Sequence, residues 1–218
     1  MKNKIIYKDS ESIIGIAPIC EDSESLLAQL DKEQYLPSLE KMMESRRQEW
    51  LTVRVLLKEI LGNEKKIHYY PSGKPYLEDL TYRISISHTK QRGVAGQGKT
   101  KGYVALIINK NKEVAIDIEQ ISPRAENILP RFVNKEEEKA LSTRNRLIHI
   151  LLHWSAKESV FKWVDMHDFD FKAQMHISPF EPVIGEWESF TAKETRTEQQ
   201  HIFTVHYFVA EDYVLTYI

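Results

Sequence analysis

Two short runs rich in β-branched residues, 4–7 and 12–17, open the chain and read as a pair of strands, and a helical stretch at about 23–30 follows. From Leu39 the apolar positions Leu39, Met43, Trp50, Val53, Leu57 and Ile60 recur at helical spacing, with Arg46 on the same stripe, until Gly62-Asn63 stops the pattern. Further strands are predicted at 66–70, 82–87, 103–108 and 114–119, separated by Pro71-Ser72-Gly73, a glycine-rich stretch and the turn at 109–112. Asn134 followed by Glu137 has the form of a capping box opening a helix over 135–141, and a long helix is predicted from about 146 to 164. Its apolar stripe is Leu147, Leu151, Trp154 and Phe161, interrupted by Glu158. The runs 202–209 and 213–217, around Ala210-Glu211-Asp212, predict a closing hairpin. Strand, helix and strands thus occur twice, so the expectation is an α+β fold of two packed subdomains, 1–110 and 111–218.

Composition narrows the classes. At 218 residues, with 42% apolar and 28% charged residues, the chain has enough apolar material for a sizeable core. A formal charge of −2 gives no broad basic footprint for nucleic acid, so any anion is held locally. Cys20 is the single cysteine, which excludes an intrachain disulfide and suits a reducing, cytoplasmic setting. No apolar run reaches membrane-spanning length, and charges interrupt the N-terminus before a signal-peptide core, so no membrane partner is expected.

Two constellations carry chemistry. In Val114-Ala115-Ile116-Asp117-Ile118-Glu119, strand alternation puts both carboxylates on one face and both isoleucines on the other. Side by side, the acids repel unless a cation separates them, and their hard oxygens suit Mg²⁺; a solvated strand edge is the alternative. On the long helix, Glu158 lies within the apolar stripe and needs a partner, and Lys162 follows four residues later on the same face. A plain helix salt bridge is the alternative there. Arg46, Arg47 and Arg54 form a cationic run that suits phosphate, or else pairs with Glu44, Glu49 or Glu59 along a solvated helix.

Trp154-Ser155-Ala156-Lys157-Glu158-Ser159-Val160-Phe161-Lys162 resembles the W-x-x-K-E-(A/S)-x-x-K motif of the 4′-phosphopantetheinyl transferases. Ile116-Asp117-Ile118-Glu119 resembles that family's G-(I/V)-D-(I/V)-E strand, with Ala115 in place of the glycine. Gly73-Lys74-Pro75 and Ile84-Ser85-Ile86-Ser87-His88-Thr89 resemble its G-K-P and (N/S)-(I/L)-S-H-(S/T) elements, and all four stand in the family's order. The length is similar to the Sfp-like type, which implies a monomer built as a pseudodimer of two similar α+β halves with coenzyme A in the cleft between them.

The resemblance implies holo-carrier-protein synthase activity: Mg²⁺-dependent transfer of 4′-phosphopantetheine from coenzyme A to a serine of an apo acyl or peptidyl carrier protein, releasing 3′,5′-ADP. It implies Asp117, Glu119 and Glu158 as metal ligands, with Glu158 or a water beside it taking the serine proton and Lys162 meeting the departing nucleotide. It places Ser87 and His88 at the 3′-phosphate and Lys74 near the nucleotide, and Arg47, Arg54 and Lys157 complete the expected coenzyme A set. Arg131-Phe132-Val133-Asn134-Lys135-Glu136-Glu137 resembles the family's R-F-F-x-x-x-E segment and makes Glu137 a secondary catalytic candidate. A catalytically silent coenzyme A or carrier-binding module is the alternative. After Lys162 the family commonly has glycine, whereas Trp163-Val164-Asp165-Met166 follows here, which alters the expected acceptor-facing loop.

Two patterns point elsewhere. Gly93-Val94-Ala95-Gly96-Gln97-Gly98-Lys99-Thr100 matches the Walker A pattern, yet it leads into a predicted strand where a P-loop opens a helix. It is expected to be a glycine-rich connection, with Lys99 or Lys101 adding positive charge beside the nucleotide. His149 and His153 have the spacing of a helical zinc pair but lack the internal Glu of H-E-x-x-H and a third ligand, which predicts packed or surface histidines.

Overall fold

In the computed structural model, which describes residues 4–8, 11–90 and 102–218, the chain divides into two compact units, Met1–Val114 and Ala115–Ile218. The first runs β1 (Ile5–Lys8), β2 (Ser12–Pro18), α1 (Ser23–Leu27), α2 (Lys32–Leu39), α3 (Glu44–Leu61), β3 (Ile67–Tyr69), β4 (Pro75–Leu77), β5 (Arg83–Lys90) and β6 (Gly102–Asn109). An antiparallel sheet has the order β1-β2-β6-β5, and β3 and β4 form a separate hairpin. The helix α3 is buried on two faces. Val53, Leu56 and Leu57 join Ile84, Val104, Leu106 and Ile108 of the sheet, whereas Leu51 and Val55 meet Leu26, Leu30, Tyr35 and Leu39. A Cβ on Gly15 would lie 2.6 Å from Ile60 Cδ1 and 3.2 Å from Leu56 Cγ, so α3 approaches β2 over bare backbone. Gly62, at φ +77°, closes α3 with its N–H on Lys58 O at 2.8 Å.

The helical pattern starting at Leu39 turns out to span two helices. Leu39 ends α2, and Met43, 80% exposed and extended at φ −68°, ψ 151°, is the N-cap of α3. Their four-residue separation mimics one continuous turn. The Arg47 guanidinium donates from Nε to Leu39 O at 3.0 Å, joining the Met42 N–H on the same terminal carbonyl of α2.

The second unit runs β7 (Ile116–Gln120), α4 (Ala125–Ile128), a 3-10 turn (Leu129–Arg131), α5 (Lys135–Ala140), α6 (Arg146–Val164), α7 (Phe171–Gln174), β8 (Met175–Ile177), β9 (Trp187–Glu194), β10 (Ile202–Val209) and β11 (Tyr213–Tyr217). Its antiparallel sheet has the order β7-β11-β10-β9-β8. The expected capping box is present: Asn134 Oδ1 accepts from the Glu137 N–H and Glu137 Oε2 accepts from the Asn134 N–H, each at 3.0 Å. The long helix α6 contributes Ile150, Leu152, Ala156 and Val160 to one core cluster with Val205, Tyr207, Val209 and Val214 of the sheet. The stripe read from sequence forms a flank of that face, with Leu147, Trp154 and Phe161 only partly buried. Because α6 is covered on more than one side, no single stripe marks its inner face. Among the described residues no helix is long and apolar enough to cross a membrane.

The two histidines of α6 are packed, as expected, and stay neutral. The Ser142 N–H donates to His149 Nδ1 at 2.9 Å, and His153 Nδ1 lies 2.9 Å from His149 O, so it carries the proton. Phe180 lies across both rings at centroid distances of 4.3 and 5.7 Å. Burial pulls His149 down to about 4 and His153 to about 3. The unfolded chain, with imidazoles near ~6.5, therefore binds more protons than the folded one, and stability is lost as pH falls from about 6.5 toward 4. Between pH 7 and pH 4.5 each imidazole is expected to cost about 2 kcal/mol, read as a falling urea midpoint. His153→Leu should flatten the decline by one imidazole's share, and an unchanged pH dependence in that variant would count against the assignment.

Candidate active site

Among the described residues, strand β7 is an edge of the second sheet and pairs with β11, with Asp117 opposite Thr216 and Glu119 opposite Val214. Alternation along β7 turns Asp117 and Glu119 toward α6, and Ile116 and Ile118 are fully buried on the other face. Trp154, Glu158 and Lys162 follow one another at four-residue intervals on α6, so one helix face meets the acidic strand. The Trp154 indole donates from Nε1 to Glu119 Oε1 at 2.8 Å. Lys162 Nζ donates to Asp117 Oδ1 at 2.7 Å and to Ile116 O at 3.0 Å. Asp117 is 4% exposed, so its ion pair with Lys162 is largely desolvated on the acid's side.

The acids are electrically crowded. Burial, then the neighbouring Asp117 and Glu158 charges, push Glu119 up to about 7, against the Trp154 hydrogen bond and the Lys162 ammonium. Burial and Asp117 likewise push Glu158 up to about 7, partly offset by Lys162. Three carboxylates face one ammonium, so near neutrality the site holds protons that free carboxylates would have released. A bound divalent cation would reverse that imbalance, and an all-oxygen, carboxylate-rich donor set is chemically suited to Mg²⁺. Among the described residues, no three acidic, imidazole or thiol side chains are gathered closely enough to hold an ion. Asp117, Glu119 and Glu158 are neighbours, and Lys162 and Trp154 hold two of their oxygens.

Lys157 and Glu137 meet away from this face. Lys157 is 1% exposed, and its Nζ donates to Glu137 Oε2 at 2.8 Å, Phe132 O at 2.6 Å, Phe171 O at 3.0 Å and Met175 O at 3.0 Å. Glu137 Oε1 accepts from the Ile177 N–H at 2.9 Å. This pair is buried, balanced one to one and saturated with hydrogen bonds, which makes it a structural clamp in the form seen here.

Within the first unit, His88 and Arg54 line a cavity of about 160 Å³ with Arg46, Glu49, Trp50 and Tyr69. Arg54 is 5% exposed, its guanidinium lies 3.0 Å from the Trp50 ring centroid, and burial lowers it to about 10, so it stays charged at neutral pH. Buried Glu49 pairs with Arg46 at 3.0 Å and Lys90 at 2.5 Å, and lies 3.8 Å from His88. Ser87 is buried on β5, Lys74 pairs with Glu113 at 2.9 Å, and Arg47 stays with the α2 carbonyls. The Walker-like stretch, Lys99 and Lys101 lie outside the described residues; the elements on either side, β5 and β6, are antiparallel partners.

Sequence reasoning missed two contributors. Trp154, a position of the helix motif and of the stripe that Glu158 interrupts, carries no assigned role in the sequence reading, and the structure gives it one as a hydrogen-bond donor to Glu119. Glu49 was read only as a surface partner for arginine, and its burial follows from the two-sided packing of α3.

Residues 113–218 match a family model described as the 4′-phosphopantetheinyl transferase superfamily. The match spans the whole of the second unit, with all three acids and Lys162, and supports a transferase of that superfamily and phosphopantetheine transfer in general. No curated protein sequence matches the chain.

The raised glutamates fix a pH dependence opposite in sign to that of the histidines. Their folded values near 7 exceed the ordinary 4.5, so their contribution to stability is complete below 4.5 and is lost as pH rises through 7. Without divalent ions, Glu119→Gln or Glu158→Gln should stabilise the protein by about 1–3 kcal/mol at pH 8 and by little at pH 5. Urea titration at the two pH values reads this, and a variant less stable than the parent at pH 8 would contradict the crowding.

Proposed function

We propose that the chain is a holo-carrier-protein synthase that moves the 4′-phosphopantetheine arm of coenzyme A onto a serine hydroxyl of an apo acyl or peptidyl carrier protein, releasing 3′,5′-ADP. The observation that carries this reading is the excess of buried carboxylate around Lys162: two glutamates near 7 beside Asp117, on the two elements that bear the family's acidic-strand and helix motifs. Such a site suits a divalent cation and a diphosphate together, because each supplies charge that the other lacks.

On this reading Asp117, Glu119 and Glu158 would hold Mg²⁺, and the ion would supply positive charge for the pyrophosphate oxygens of coenzyme A. The carrier serine oxygen forms a bond to the phosphorus of the pantetheine phosphate while the bond from that phosphorus to the 3′,5′-ADP oxygen breaks. Glu158, directly or through a water, takes the serine proton. Lys162 Nζ, already poised over the acidic strand at Asp117 Oδ1, meets the negative charge left on the nucleotide. Trp154 orients Glu119 through its indole N–H. Lys74, Ser87, His88, Arg47 and Arg54 remain the proposed coenzyme A set, with His88 and Arg54 supported by the cavity they share. Each unit lays one long helix on an antiparallel sheet, which supports reading the chain as two similar α+β halves of the Sfp-like type. A cytoplasmic setting and a monomeric state belong to the same reading.

The protein incubated with coenzyme A, Mg²⁺ and an apo carrier protein should increase the carrier mass by one phosphopantetheine group, and chelating the metal should stop the reaction. An unchanged carrier mass would leave a silent binding module. Glu158→Gln is expected to lower the transfer rate by about 10²–10⁴-fold while the urea midpoint stays at or above the parent's. Full activity in that variant removes Glu158 from the chemistry.

A further inference from the structure

The interface between α6 and β11 contains a polar contact that packing does not require. Ser155 Oγ and Ser159 Oγ each lie 2.9 Å from Thr216 Oγ1, and Ser159 Oγ also donates to Thr216 O at 3.3 Å. All three residues are 0% exposed. Alanine and valine would fill the same space, and a buried hydroxyl network gives little net stability over an apolar replacement of the same shape. Apolar contacts tolerate sliding and rotation, whereas one hydroxyl shared by two others accepts a narrow range of directions.

Its position gives that direction a use. Thr216 is the β11 residue registered against Asp117 of β7. Ser155, Ser159 and Lys162 stand at i, i+4 and i+7 on α6, one helix stripe. The first two grip Thr216 and the third grips Asp117 and Ile116 O, so this stripe is fastened to both members of the same rung of paired strands. Glu158 is adjacent to Ser159, and the angle at which it faces the acids follows from that fastening. A 20° rotation of a helix moves a side-chain tip by roughly 2 Å, enough to remove an oxygen from a metal or a phosphate.

We propose that Thr216 is a positioning residue for the acid site: its hydroxyl, shared with Ser155 and Ser159, sets the rotation of α6 that brings Glu158 and Lys162 to Asp117. This inference rests on the proposed metal-dependent transfer at those residues. The test compares Thr216→Val, Thr216→Ser and Ser159→Ala with the parent protein. Two quantities are read: the Mg²⁺ concentration giving half of the Mg²⁺-induced rise in thermal midpoint without substrate, and kcat and KM for coenzyme A from carrier mass shift.

Thr216→Val is expected to keep the parent's urea midpoint, because Ser155 and Ser159 can turn their hydroxyls to carbonyls one helical turn back. Its Mg²⁺ requirement should rise roughly 10–100-fold, with kcat falling and KM for coenzyme A unchanged. Thr216→Ser should restore both readings, since it returns the hydroxyl without the methyl. Parent-like Mg²⁺ dependence and kcat in Thr216→Val overturn the proposal. Should that variant not fold, Ser159→Ala decides: a raised Mg²⁺ requirement supports the role and an unchanged one overturns it. A parent protein that neither responds to Mg²⁺ nor modifies a carrier sinks the transferase reading, and the positioning role with it.

Discussion

Three carboxylates and one ammonium share the half-dry seam between β7 and α6, and the second unit is arranged around that imbalance. In water the repulsion among Asp117, Glu119 and Glu158 would be largely screened; here burial is the first cause of the shift in both glutamates. The fold holds the acids in place from outside. Asp117 and Glu119 are fixed by the ladder of β7 on β11, and Glu158 by a helix fastened at several points along its length. An arrangement that stores repulsion needs such support, because a looser one would let the side chains part and regain solvent.

The fastening of α6 comes from opposite sides. Toward the sheet, the Ser155–Thr216–Ser159 hydroxyls and the Lys162 ammonium bind β11 and β7. Elsewhere, buried Lys157 ties the helix to carbonyls of Phe132, Phe171 and Met175 and, through Glu137, to the start of α5. His149 joins its first turns to the loop at Ser142. With polar anchors on several faces and apolar packing between them, α6 is constrained in rotation as well as in depth.

Much of this fold was legible from residue pattern, where local and tertiary signals agree. The limits of α6 and of the closing hairpin follow from helix length, the charged turn at Glu211-Asp212 and two runs of β-formers. The short helix α2 was missed because Pro37 lies within it and Leu39 sits at helical spacing from Met43, so two elements mimic one. Strands β8 and β9 were missed because Trp187–Glu194 has Thr191 as its single β-branched residue among charged neighbours and Met175–Ile177 is only three residues long. At the site, the acidic strand and the Glu158–Lys162 spacing were visible because both are local periodicities. The clamp between Lys157 and Glu137 was not, since it depends on which carbonyls converge from the end of the 3-10 turn, α7 and β8, distant positions that no spacing rule relates.

The contrast between two lysines of one helix shows how environment divides structure from chemistry. Lys157 and Lys162 belong to the same short motif, and each is paired with a carboxylate. Lys157 is enclosed, forms its ion pair with Glu137 and has every donor engaged, so a ligand reaching it would have to break contacts that the core cannot replace. Lys162 remains partly exposed, and the acids around it outnumber it, so the charge it supplies is insufficient in the absence of a ligand. A balanced buried pair gains nothing from a newcomer. An unbalanced, accessible one does, because positive charge entering there would relieve the repulsion that folding alone left in place.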